Sequence, residues 1–364
     1  VVHIDQRMSY TSVKKILEDR DPEEMEAYKE FVPMFELMAE LAKILREKRH
    51  RRGSIDFDFP ESKIMLNADG TPTEIRPYDR NTATKIIEDF MLLANETVAE
   101  DYFWQEIPFV YRTHDVPDEE KIQKLCTFIN NFGHSMHVAN KEVRPKEIQK
   151  LLAKVDGTPE GDFISRLALR SMKQAKYTPE NTGHFGLAAQ YYCHFTSPIR
   201  RYPDLQIHRI IKETLRGRMN ENRMEHYESI LPEVTKHASQ MERRAEEAER
   251  ETIRLKKEEY MEQHIGEVFA GVISSITKWG MYVELENTVE GLIHVTNMHG
   301  DHYDYYEDRF EMIGEHTRRS YKLGQKVYVR VLDTDRLQRT IDFELVNKGD
   351  EEDGENIDET DCQQ

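Results

Sequence analysis

An α+β fold followed by a small all-β barrel is the architecture that this chain of 364 residues predicts, on three observations. Apolar residues recur at helical intervals through most of the first 264 positions. From Gly266 the period changes to two, in five short alternating segments separated by turns, which is the strand count of a small closed barrel. Within the helical part, Tyr177 to Arg209 (YTPENTGHFGLAAQYYCHFTSPIRRYPDLQIHR) gathers cations, aromatic rings, turn-formers and histidines around one helix start.

With 38% hydrophobic residues the chain is long enough for two domains and a sizeable core. A mean hydropathy of −0.76 describes a soluble protein, and no apolar run approaches the roughly 20 residues of a membrane span. There is no signal peptide, and a start at Val1 rather than Met reads as a fragment. Cys126, Cys193 and Cys362 are widely spaced and form no CxxC pair. That pattern fits a reducing compartment and argues against a zinc knuckle or disulfide framework.

The net charge of −18 opposes a nucleic-acid partner if only the sum is counted. Its distribution says otherwise. Asp350 to Asp361 carries eight acidic residues and no base, a solvated tail, while cations concentrate at Lys43 to Arg52, Lys173 to Arg209 and Arg243 to Lys257.

In chain order, Tyr10 to Glu18 predicts a short helix and Pro22 to about Arg51 a long one, with Phe31, Met34, Leu37, Met38, Leu41 and Leu45 as its core face and Gly53 as its stop. SIDFDF alternates like a strand and sets Asp56 and Asp58 on one face. Two carboxylates without a third ligand or a nearby His are a wet strand face rather than a metal site. KIML and TEIRPY flank a turn at Asp69-Gly70, a hairpin. Asn81 to about Trp104 is a helix burying Ile86, Ile87, Phe90, Met91, Leu93 and Ala94. Pro108 to Pro117 reads as a strand and turn, and three amphipathic helices follow at Pro117 to Phe132, Pro145 to Val155 and Pro159 to Gln174.

A helix starts near Tyr202, with Pro203 at a first-turn position, Asp204 beside it and Ile207, Ile210, Ile211 and Leu215 along one face. Its open amides, with Ser197, Arg200 and Arg201 just ahead, form a nest of donors suited to a phosphate. Adjacent Cys193 and His194 do not make a nucleophile pair, because neighbouring side chains on a helix do not face each other. Asn220 to His264 is charged and helical, interrupted at Pro232, and lacks sustained coiled-coil heptads. The five barrel segments are VFAGVISSI, GMYVELE, GLIHV, QKVYVRVLDTD and TIDFEL, the count of an OB barrel.

GHFGL followed by HFTSPIRRYPDLQIHR resembles the signature of the RNase II/RNase R (RNB) family of processive 3′-to-5′ exoribonucleases, with the closest agreement to its RNase R members. SQMERRAEEAER resembles the family too, and the similarity runs from Val1 to Leu345. It implies that 1–219 is the C-terminal part of an RNB catalytic domain and that 220–264 packs on it and leads onward. Residues 265–346 are then an S1 RNA-binding domain of OB type and 347–364 an acidic disordered tail.

The resemblance implies hydrolysis of single-stranded RNA to nucleoside monophosphates by a monomeric, cytoplasmic enzyme that requires Mg2+ and has no membrane partner. By motif match Arg200 is catalytic, stabilising charge on the scissile phosphate, and Arg201 contacts RNA beside it. Phe57 matches an aromatic that stacks on bases, and Glu88 a carboxylate that contacts the terminal ribose. Arg112 and His114 match a recurrent pair to which no chemistry is assigned. In the barrel, Phe269, Trp279, Tyr282 and His294 match the RNA-binding face, Tyr282 and His294 foremost. The family holds magnesium with closely spaced aspartates near the start of the RNB domain, a cluster expected upstream of Val1 and not repeated here. No metal ligand is therefore assigned in this chain, and alone it is expected to be inactive. The rival reading is a noncatalytic RNA-binding protein with an S1 domain.

Overall fold

The computed structural model describes residues 2–57, 59, 61–138, 142–307 and 309–346. The helical part comprises α1 (Tyr10–Lys14), a π-helical turn (Lys15–Asp19), α2 (Pro22–Ala27), α3 (Val32–Arg52), β1 (Ser62–Leu66), β2 (Pro72–Pro77), α4 (Thr82–Trp104), β3 (Tyr111–Thr113), α5 (Glu119–Asn131), α6 (Pro145–Val155), α7 (Gly161–Ser171), β4 (Lys176–Thr178), α8 (Tyr202–Leu215) and α9 (Glu221–Glu262). Then come β5 (Val268–Thr277), β6 (Gly280–Leu285), β7 (Glu290–His294), β8 (Tyr303–Tyr306), β9 (Glu311–Gly314), β10 (Ser320–Lys322), β11 (Lys326–Asp335) and β12 (Thr340–Val346). Two compact units result, one of Val1–Phe59, Asp79–Asp156 and Ile164–Ala248, the other of Pro60–Tyr78, Gly157–Phe163 and Glu249–Gln364.

In the first unit α3 is rotated differently from its apolar pattern. Asp89 of α4, with a side chain 1% exposed, accepts from Arg46 at 2.7 Å and from Arg49. A buried carboxylate has to be paired, and pairing it from α3 turns Val32, Phe35 and Ala42 inward. Met34, Leu37 and Leu41, expected in the core, are instead 47%, 66% and 46% exposed. The expected Pro22–Arg51 helix is also broken between α2 and α3, where Tyr28 leaves the helical region at φ −118° and ψ 25° and Pro33, which has no amide to donate back across the break, sits in the first turn of α3. On α4, Ile87 and Leu93 are exposed while polar Asp89 and Asn95 are buried. Asn81 caps that helix by accepting from the Thr84 amide at 3.2 Å.

Two further expectations change. Residues 54–57 form no strand; after Gly53 turns the chain at φ 105°, the Ile55 amide donates to the Gly186 carbonyl at 2.7 Å. Asp58 lies outside the described residues. Pro232 does not interrupt α9, which runs for 42 residues through it. A proline inside a helix removes one hydrogen bond, but Tyr227, Leu231, Thr235 and Ser239 bury one face of α9 on either side.

The second unit contains the closed barrel in the order β11-β12-β7-β6-β5, and each of the five predicted segments supplies one strand. Met281, Val283, Leu285, Ile293, Val329 and Phe343 fill its interior. The β1–β2 hairpin pairs Lys63 with Arg76 and Ile64 with Ile75 around the expected turn. A three-stranded sheet, β10-β9-β8, was not foreseen between the third and fourth barrel strands. Its sequence mixes tyrosines with charges too densely to alternate cleanly.

Candidate functional site

The turn before α8 is built around Asp204, whose side chain is 0% exposed. Asp204 Oδ1 accepts the Ser197 amide at 2.8 Å and Arg201 Nη2 and Nε at 2.7 and 3.2 Å. The Arg201 amide donates back to the Ser197 carbonyl at 3.1 Å, so Ser197 to Arg201 is a closed turn. Arg201 is thereby committed inward, to a carboxylate already seated at the helix start. Arg200, one residue earlier, is exposed, and its guanidinium makes no hydrogen bond or ion pair with a described residue. A fixed backbone thus presents a free, permanently charged fork.

Beneath this turn lies a polar network that the sequence did not reveal. Arg112 of β3 donates to Glu242 of α9 at 2.5 Å, and its guanidinium sits 4.6 Å from the centre of the Tyr177 ring. The Tyr177 hydroxyl lies 3.2 Å from Glu242 Oε1 and 2.8 Å from His194 Nδ1. A carboxylate paired with Arg112 can only accept, so the hydroxyl donates to Glu242 and takes its second bond from His194 Nδ1–H. Asn95 Oδ1 accepts the Phe195 amide at 2.9 Å, and its amide donates to the Tyr192 hydroxyl at 3.3 Å. His208 stacks on Phe195 with centroids 4.5 Å apart. The whole approach to Arg200 is pinned from α4, β3, α8 and α9.

Burial, helped by Arg201 and Arg112, pushes His194 down to about 2. His184 is pushed down to about 3, chiefly by burial, and its Nδ1 accepts the Leu187 amide at 3.2 Å. Both rings are neutral when folded, whereas the unfolded chain protonates them near 6.5. The unfolded state therefore binds more protons as pH falls through 6.5, and stability is lost in that direction. Between pH 8 and 6 urea denaturation is expected to show a loss of about 1.5 kcal/mol from the two together, at about 1.4 kcal/mol per unit shift. His194→Gln should remove about half of that dependence; an unchanged slope would contradict the assignment.

Arg52 at the end of α3 pairs twice with Glu96 at 2.7 Å and donates to the Leu187 carbonyl at 3.1 Å. This contact, with the Ile55–Gly186 bond, lays the segment carrying Phe57 alongside residues 184–187. Phe57 is half-buried, with its ring stacked on Phe59 at 5.8 Å. Arg80 holds Glu88 at 2.8 and 2.9 Å and approaches Asp56 at 3.6 Å. Arg80, which no sequence pattern marked, thus links Glu88 to Asp56, the residue before Phe57.

On the barrel, Trp279 is 59% exposed in the β5–β6 turn, with Lys278 Nζ 4.6 Å from its ring centre. Tyr282 pairs opposite Leu292, and His294 opposite Gly280. Both are half-buried between inward-facing neighbours, which makes them diagonal partners on the outer surface. Gly280 has φ 144°, and a Cβ there would stand 2.0 Å from the Ile293 carbonyl oxygen, so only glycine lets the strands close beside His294. Phe269 turns edge-on to His264 at 6.1 Å.

Among the described residues no group of three or more His, Cys, Asp or Glu is arranged to hold a metal ion. Cys362 and the acidic run from Asp350 lie outside the described residues. Among the described residues no helix is long and apolar enough to cross a membrane.

Residues 1–217 match the RNB domain and residues 262–345 the S1 RNA binding domain. The chain is 42% identical over 346 residues to ribonuclease R 1 of Lactococcus lactis, covering 95% of this chain and 42% of that protein. It is 41% identical over 355 residues to ribonuclease R of Thermotoga maritima, covering 96% and 49%. The chain therefore spans less than half the length of these two relatives. Its fold matches that of Mycoplasma genitalium RNase R in complex with ribose methylated single-stranded RNA, with a TM-score of 0.81 at 26% identity, over 93% of this chain and 53% of that one. With the RNB match over more than half of its residues and an S1 RNA binding domain after it, the chain belongs to the RNase II/RNase R (RNB) family.

Proposed function

We propose that this chain is the RNA-engaging part of a ribonuclease R-like enzyme that hydrolyses single-stranded RNA from its 3′ end, processively, to nucleoside monophosphates. The observation that carries this reading is Arg200, a free guanidinium on a turn locked by Asp204, in a chain of the RNB family. A planar fixed cation aimed at a phosphate stabilises the charge that develops on its oxygens in the transition state. Phe57 stacks on bases, which suits a processive enzyme because every base has a π-face. Glu88, steered by Arg80, accepts from the 2′-hydroxyl of the terminal ribose. Arg201 we assign to holding the turn, since its fork is given to Asp204.

In this proposal residues 1–219 belong to the catalytic domain, 265–346 form an S1 module that grips RNA through Trp279, Tyr282 and His294, and the protein works as a cytoplasmic monomer. Magnesium enters as a requirement of the whole enzyme and is given no ligand among the described residues. The chain alone binds RNA without cutting it.

The test uses the complete protein and a uniformly labelled single strand with magnesium. Mononucleotides released stepwise from the 3′ end support the proposal; a bound but intact strand would make the protein a noncatalytic RNA binder. In the same assay Tyr282→Ala with His294→Ala should weaken binding of long strands by about 10–100-fold, at ~1–3 kcal/mol per stacked base. Cleavage of very short strands, which need not reach the barrel, should stay within about twofold. Equal loss on both lengths would remove the barrel's assigned role.

A further inference from the structure

The chain has two tryptophans, Trp104 and Trp279, and they stand in opposite electrostatic settings. Trp279 carries Lys278 over its ring, a cationic setting compatible with phosphates. Trp104 ends α4 and is 68% exposed; Phe103 beside it is 37% exposed. Phe103 lies 5.4 Å from Trp104 and 4.8 Å from Tyr191, and Trp104 lies 6.3 Å from Tyr191. Tyr191 packs on the core of its unit, so the cluster is anchored on one side and open on the other.

Carboxylates rim it. Glu100 and Asp101 precede Trp104 by four and three residues and share its helix face, and Glu106 follows; all three are exposed. From Ile86 to Tyr111 the sequence contains no Lys or Arg. The C-terminal carbonyls of α4 add partial negative charge at the same place. Exposed ring faces, three carboxylates and a helix C-terminus all favour a cation and oppose an RNA backbone.

We infer that Phe103, Trp104 and Tyr191, with Glu100, Asp101 and Glu106, form a docking site for a segment of another protein rich in Lys and Arg and bearing an apolar anchor. A cationic side chain would lie on the Trp104 ring while the anchor packs on Phe103. The site is separate from the proposed RNA reaction and does not depend on it.

The experiment uses the full chain with Trp279→Phe, so that Trp104 is its sole tryptophan reporter. The probe is a 12-residue peptide of Lys, Arg and Leu, compared with a 12-nucleotide oligouridine. Trp104 emission should shift and saturate with the peptide and stay unchanged with the RNA. Anisotropy of the labelled peptide should show affinity falling about tenfold for Trp104→Ala and for the triple Glu100→Gln, Asp101→Asn, Glu106→Gln. A control triple on α9, Glu225→Gln, Glu228→Gln and Glu233→Gln, removes the same charge and should leave affinity within twofold. Peptide binding indifferent to Trp104→Ala, or weakened equally by the control, would overturn the inference as general attraction to an acidic protein. Emission that answers to the RNA and not to the peptide would overturn it in favour of a nucleic-acid site.

Discussion

Arg200→Ala in the complete protein is expected to lower turnover of single-stranded RNA by about 10²–10³-fold, the usual cost of losing one preorganised donor at a developing oxyanion. Affinity for RNA should fall far less, since Phe57, Trp279, Tyr282 and His294 remain. The split matters, because an interaction made only in the transition state lowers kcat while leaving binding nearly intact. Arg200→Lys should be a poor rescue, since an ammonium is a point charge and cannot form two parallel bonds to a phosphate. Arg200 has no partner among the described residues, so its removal should not unfold the turn, and thermal denaturation should be unchanged within a degree or so. Unchanged turnover on a folded variant would remove Arg200 from the chemistry.

Asp204→Ala is the substitution expected to damage the fold most. The carboxylate is fully buried and holds both the Ser197 amide and Arg201, whose side chain is 16% exposed. Deleting one partner of a buried ion pair leaves the other charge uncompensated, a cost of about 3–5 kcal/mol. Urea denaturation of the chain measures it, and a loss below about 1 kcal/mol would show that the pair is not structural. Asp204→Asn should cost less, because it keeps an acceptor for Ser197 while losing the charge that Arg201 faces. In the complete protein both variants should also slow turnover, since the turn that aims Arg200 is loosened.

What the sequence displayed depended on whether the determining contacts were local. The barrel strands were legible because one face is buried and one is not, so Met281, Val283 and Leu285 alternate with Tyr282 and Glu284 in the string itself. The starts of α4 and α8 were legible because Asn81 and Pro203 act within a turn of themselves. The rotation of α3 was not, because it is set by Asp89 forty residues or more away. Nor was the continuity of α9 through Pro232, where burial of Tyr227 and Leu231 outweighs a local rule. The same division runs through the site. Arg200 could be read from SPIRRYPD, but the side chains that hold its surroundings could not. Glu242 meets Arg112 across 130 positions, and Asn95 meets Phe195 across 100. Polar residues at such separations carry no period, and only the fold brings their partners together.

The most direct measurement incubates the purified chain with a labelled RNA bearing a 3′ single-stranded overhang, in magnesium, across a salt series. The account predicts a retarded, intact RNA whose affinity declines as salt rises, because phosphate contacts release counterions, with no mononucleotides formed. Mononucleotides released from the 3′ end would mean that residues of this chain hold the metal after all. Failure to retard the RNA even at low salt would remove RNA engagement from the chain and contradict the account at its centre.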